Sequence, residues 1–103
     1  PDGHIDINHL AELLASSDEK TLVTLMHANN EIGNITDIHA VGELCVQHGA
    51  IFHSDCVQTV GHFNFDLRNT PVHFISGSAH KFHGPKGAGL LYINENVHIK
   101  PYV

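Results

Sequence analysis

The stretch "TLVTLMHANNEIGNITDIHAVGELCVQHGAIFHSD", residues 21–55, decides the fold. It opens on a short apolar, β-rich run, "TLVTLM" (21–26), of the kind a strand covered on both faces presents. A polar loop, "HANNEIGN", follows. From Thr36 to His48 a helix is predicted: Thr36 can cap it, Asp37 sits in the first turn, Ile38, Val41 and Cys45 share one face, and Gly49 is placed to stop it. "AIFHS" (50–54) reads as a second strand. Strand, helix and strand at these lengths make a βαβ unit, whose strands lie parallel and whose crossover is right-handed.

Upstream, "DINHLAELLA" (6–15) places Ile7, Leu10 and Leu14 on one helical face, with Asp6 able to cap the first turn. Downstream, "DCVQTVG" offers Asp55 as the cap of a short helical turn, "VHFIS" (72–76) reads as a third strand, and "AGLLYI" (88–93) as a fourth. No repeat, low-complexity tract or linker interrupts residues 1–103, so the expected fold class is a single α/β piece, a mostly parallel sheet with flanking helices.

Composition narrows the function. A chain of 103 residues, 42% hydrophobic and 16% charged, is long enough for one core that buries somewhat over half of the unfolded surface. The net charge of -6, with Lys20, Arg68, Lys81, Lys86 and Lys100 scattered, argues against phosphate neutralisation, and no nucleic-acid partner is expected. No apolar run is long enough for a membrane span and no signal-peptide order is visible, so the expected location is cytoplasmic. Cys45 and Cys56 lack metal-ligand spacing and read as reduced. Eleven histidines raise a metal-binding reading, a histidine-rich non-catalytic domain, but they fall into no H-E-x-x-H or paired Cys-x-x-Cys pattern.

In open α/β sheets, ligands sit beyond the carboxyl ends of the strands. Asn30 follows the first strand, Asp55 the second, and Ser78, His80 and Lys81 the third. A desolvated lysine with polar neighbours can lose its proton and bond a carbonyl carbon, and Lys81 is the lysine in that position. Gly77 and Gly84 permit close backbone approach beside it, Pro85 stiffens the turn that follows, and Lys86 reads as a solvated surface lysine. Asp55 has two compatible readings, a cap of the following turn and an anionic partner for a protonated ring nitrogen. Gln58, three residues on, would share its side of a helical turn. Ser78 and His80, alternating in an extended segment, would share a face suited to a phosphate, with Lys81 pointing the other way.

"MHANNEIG", "FHSDCVQTVG" and "SGSAHKFHGPKGAGLLYI", in this order, resemble three landmarks of the cysteine desulfurases. The selenocysteine lyases are close behind, within the class V aminotransferase group of fold-type I pyridoxal phosphate enzymes. The resemblance implies a cofactor, pyridoxal 5'-phosphate, held by Lys81 as the Schiff-base lysine, Asp55 on the pyridinium nitrogen, Gln58 and Asn30 near the phenolic oxygen, and Ser78 and His80 at the phosphate. It implies conversion of L-cysteine to L-alanine with sulfur passed to an enzyme cysteine as a persulfide. It also implies a sulfur-acceptor protein such as an iron–sulfur scaffold, and a homodimer.

By the same resemblance the chain would be a partial large domain. The glycine and threonine loop of the phosphate site and a ring-stacking histidine would lie before Pro1, and the persulfide cysteine and a carboxylate-binding arginine after Val103. Cys56 and Cys45 read as small packing residues instead.

Overall fold

The computed structural model describes residues 2–62, 64 and 66–100. Helix α1 (Ile7–Ser16) begins where Asp6 accepts from the His9 amide at 3.0 Å. Strand β1 (Leu22–Met26) runs into a hairpin of β2 (Ala28–Asn29) and β3 (Asn34–Ile35), then helix α2 (Ile38–Gln47) and strand β4 (Ile51–Asp55). Strand β5 (Phe74–Ser78), a single 3-10 turn (Ala79–Phe82) and strand β6 (Gly89–Ile93) complete the order. Among the described residues the sheet order is β1-β4-β5-β6, with β1, β4 and β5 parallel and β6 antiparallel to β5. The expected mostly parallel α/β sheet with flanking helices is what forms.

The core lies between the two helices and one face of the sheet. Ile38, Val41 and Cys45 of α2 and Leu14 of α1 meet Val23, Phe52 and Ile75, which alternate inward from β1, β4 and β5. Phe52 is fully buried, worth roughly 2–3 kcal/mol of transfer free energy. Gly42 lets α2 lie flush on the next connection, because a Cβ there would collide with the Pro71 carbonyl and ring. Gly49, at φ +67°, turns the chain out of α2 into β4.

Four local expectations are corrected. Strand β1 is covered on one face only: Val23 is buried while Leu22 is 61% exposed, since an apolar run cannot by itself say how many layers cover it. The cap of α2 is Asp37, whose carboxylate accepts from the Ala40 amide at 3.1 Å, while the Thr36 amide pairs with the His27 carbonyl to close the hairpin. The loop "HANNEIGN" contains that hairpin. The third strand spans Phe74–Ser78, two residues later than "VHFIS", because His73 turns its ring back to take the Phe52 amide on Nδ1 at 2.9 Å.

The outer face is built from Leu22, Thr24 and Met26, then Ile51, His53 and Asp55, then Phe74, Ser76 and Ser78, then Gly89, Leu91 and Ile93. Both the apolar side chains exposed there and the polar ones described next belong to this one face.

Candidate functional site

The parallel register brings the carboxyl ends of β1, β4 and β5 to one level. Met26 pairs with Asp55, and Asp55 pairs with Ser76, with Ser78 two residues further on the same face. Asp55 is thus the last residue of a central strand, half-buried, at the mouth that open α/β sheets use for ligands. Its Oδ1 accepts from the Val57 amide at 3.0 Å, and the amides of Thr59 and Val60 both return to the Cys56 carbonyl at 2.9 Å. Asp55 therefore caps a tight turn, and that turn holds Gln58 half-buried at the same end of the sheet.

Ser78 ends β5, and the residues after it do not stay extended. Ala79–Phe82 coil into one 3-10 turn, in which successive side chains point about 120° apart, so strand alternation no longer pairs His80 with Ser78. Ser78 and Lys81 are half-buried and His80 is exposed. The turn is tight for two reasons. Ala79 accepts from the His83 amide and from the Gly84 amide at 2.7 Å, and a Cβ on Gly84 would lie 2.7 Å from Ala79 Cβ. His83 takes up the reversal at φ +67°, a left-handed conformation that costs a non-glycine residue roughly 1–2 kcal/mol.

Asn30 sits exposed in the hairpin turn, at the same end of the sheet because the His27 amide donates to the Asp55 carbonyl at 2.9 Å. Its neighbour Asn29 shapes that turn: Asn29 Oδ1 accepts from the Glu31 amide and its carbonyl from the Gly33 amide, both at 2.9 Å.

Several residues around these were not singled out by sequence. On the outer face His53 Nδ1 shares a hydrogen with Thr24 Oγ1 at 2.6 Å, and its Nε2 shares one with Ser76 Oγ at 3.1 Å. One imidazole so bridges three strands directly behind Asp55. Strand alternation alone would have put His53 on the face of Asp55; its partners need the register. His27 is buried and bonds Thr59 Oγ1 through Nδ1 at 2.9 Å, and burial holds its pKa below the usual histidine range. His62 Nε2 lies 2.6 Å from the Lys81 carbonyl, a contact across 19 residues that no local pattern announces.

Cys45 and Cys56 are fully buried, and burial pushes both thiols up. Cys56 Sγ donates to Ser54 Oγ at 3.5 Å. Both are packed in the core, as the sequence suggested. Among the described residues no three His, Cys, Asp or Glu side chains gather where they could hold a metal ion. The hollow lined by Leu67, Arg68 and Tyr92–Asn96 opens at the far end of the sheet, where Ile93 pairs with Phe74.

A terminal carboxylate on one strand, a lysine on the turn after its neighbour, and hydroxyl and imidazole groups beside that lysine can together bond an aldehyde, face a cationic ring nitrogen and meet a phosphate. The family model described as aminotransferase class-V matches residues 1–101. The chain is 49% identical over 86 residues to a cysteine desulfurase IscS of Clostridium botulinum, covering 84% of this chain and 22% of that protein. It is 44% identical over 100 residues to the IscS of Edwardsiella ictaluri, covering 97% of this chain and 24% of that one. It thus spans about a quarter of the length of these relatives. Among solved structures, a NifS-like protein from Rickettsia africae superposes with a TM-score of 0.91 at 37% identity, over 99% of this chain and 29% of that one. SspA in complex with cysteine superposes at 0.87 with 31% identity, over 99% and 29%. The three sequence landmarks and the fold around them agree with these matches, and the chain belongs to the aminotransferase class-V family.

Proposed function

We propose that this chain is the cofactor-bonding part of a pyridoxal phosphate-dependent cysteine desulfurase, and that the full-length protein converts L-cysteine to L-alanine with transfer of the sulfur. The observation that carries the reading is the adjacency of Asp55 and the Lys81 turn, on the ends of neighbouring parallel strands whose register sets Asp55 beside Ser76. The relatives bearing that name, and the neighbouring structure determined with cysteine, support the substrate class.

The residues fit the cofactor. Ser78 makes no side-chain bond to cap its own turn, so its hydroxyl can turn toward a phosphate, and Gly84 keeps the backbone closed beneath it. Bound there, pyridoxal phosphate supplies an electron sink conjugated to the carbon that carries the substrate nitrogen. Lys81 Nζ would bond the aldehyde carbon, and its amine could serve as the base for the substrate's proton. Asp55 would pair its charge with a protonated ring nitrogen of the bound group, while its Oδ1 accepts from the Val57 amide. Gln58 and Asn30 would bond the phenolic-oxygen side, and Ser78 from the strand end and His80 from the turn would meet the phosphate from different directions.

The thiol that takes the sulfur is neither Cys45 nor Cys56, both of which are sealed in the core. A sulfur-acceptor protein such as an iron–sulfur scaffold, a homodimer and a cytoplasmic location complete the proposal. The test is alanine release from L-cysteine by the full-length protein. It is expected to proceed with the parent and to be lost with Lys81→Ala. Full activity of the Lys81→Ala variant would overturn the proposal.

A further inference from the structure

We propose that His62 is a positioning residue for Lys81: by donating from Nε2 to the Lys81 carbonyl, it ties the turn that carries the lysine to the turn that carries Asp55 and Gln58. The inference rests on the reading of Lys81 as the amine that bonds the cofactor.

A carbonyl oxygen can only accept, so the hydrogen in the 2.6 Å contact belongs to His62 Nε2. The carbonyls of the last helical turn lack partners within the helix and need them from outside. Ala79 receives the amides of His83 and Gly84, and Lys81 is met by His62. The reversal at His83 is strained, and a strained turn persists only where its surroundings over-determine it.

A second contact runs parallel to the first. A Cβ on Gly77 would lie 3.2 Å from Val60 Cγ2, so Val60 sits directly on β5 where His62 reaches the turn beyond it. Val60 and His62 leave the same segment that starts at Asp55. Beyond the β4–β5 pairing and the Cys56 amide's bond to the Ser76 carbonyl, the placement of the lysine backbone relative to the carboxylate is therefore braced by two side-chain ties from one short stretch of chain. Only one of them, at His62, can be removed without opening the core, because His62 is exposed.

The test uses the full-length protein, freed of cofactor, as parent, His62→Ala and His62→Gln; glutamine keeps an N–H donor at similar reach. Hydrogen exchange of the backbone over residues 79–84 is read first, without cofactor. Pyridoxal phosphate is then added, and its capture at Lys81 is timed: Nζ bonds the aldehyde carbon, and the two amine hydrogens leave with the aldehyde oxygen as water. Borohydride fixes the product for peptide mass analysis.

His62→Ala is expected to exchange about tenfold faster and to capture about tenfold more slowly, the size of effect one hydrogen bond supports, with His62→Gln within about threefold of the parent in both. Parent-like behaviour of His62→Ala, or a glutamine variant as impaired as alanine, overturns the role of His62. A parent that captures nothing at Lys81, while exchange still follows the expected order, overturns the cofactor reading and with it the positioning of an amine.

Discussion

Asp55 does two jobs at one strand end, and two substitutions separate them. Its Oδ1 caps the turn of residues 56–60 through the Val57 amide at 3.0 Å, and its charge is proposed to face the ring nitrogen. Asparagine preserves the Oδ1 acceptor and discards the charge; alanine discards both. Loss of a capping acceptor costs about 1 kcal/mol, so Asp55→Ala is expected to speed local exchange of the Val57 and Thr59 amides by roughly fivefold, and Asp55→Asn by less than about twofold. Loss of a charge-assisted bond to a buried cation costs about 1.5–3 kcal/mol, or roughly 10- to 150-fold. Both variants of the full-length protein are therefore expected to lose that factor in cofactor retention, alanine formation or both. The assays are amide exchange on the cofactor-free protein and cofactor release with product formation on the loaded one. Equal opening of the turn by Asn and Ala would refute the capping role, and parent-like cofactor retention and activity in Asp55→Asn would refute the anionic one.

Three further outcomes are expected. His83→Gly relieves the left-handed strain at φ +67° against the entropy glycine loses on folding, for a net gain of about 0.5–1 kcal/mol in urea denaturation; a loss would mean the histidine side chain is needed there. Gly42→Ala adds about 1 kcal/mol of helix propensity but drives a Cβ into the Pro71 carbonyl and ring, an overpacking cost of about 1–3 kcal/mol; the variant is expected to be less stable, and a more stable one would show that α2 does not lie flush on residue 71. Burial lowers the pKa of His27 from 6.5, so as pH falls through that value the unfolded chain gains a proton the folded one resists, and stability drops. Urea midpoints between pH 7.5 and about 5 should fall less steeply in His27→Gln than in the parent, and identical slopes would remove His27 from the acid response.

Much of the scaffold was readable because it depends on periodicity. Ile38, Val41 and Cys45 mark the buried face of α2, and Gly49 its end, with no tertiary information needed. The ends of β1, β4 and β5 were readable to within two residues, which sufficed to gather Asp55 and the Lys81 turn. The hairpin strands of two residues each are too short for alternation to register. The 3-10 turn after Ser78 is set by the reversal at His83 and the close fit of Gly84 on Ala79, a packing relation that the alternation of Ser78 and His80 does not announce. The His53 bridge and the His62 tie depend on register and on a contact 19 residues away, so histidines that look scattered in sequence have distinct structural partners in space.

The central claim is that Lys81 bonds an aldehyde cofactor, and the most direct measurement is its chemical capture. The full-length protein is mixed with pyridoxal phosphate, reduced with borohydride, digested and mapped for the modified lysine. Saturable modification of Lys81, with Lys20, Lys86 and Lys100 left unmodified, is the expected result. Modification spread evenly over these lysines, or absent from Lys81, would contradict the account.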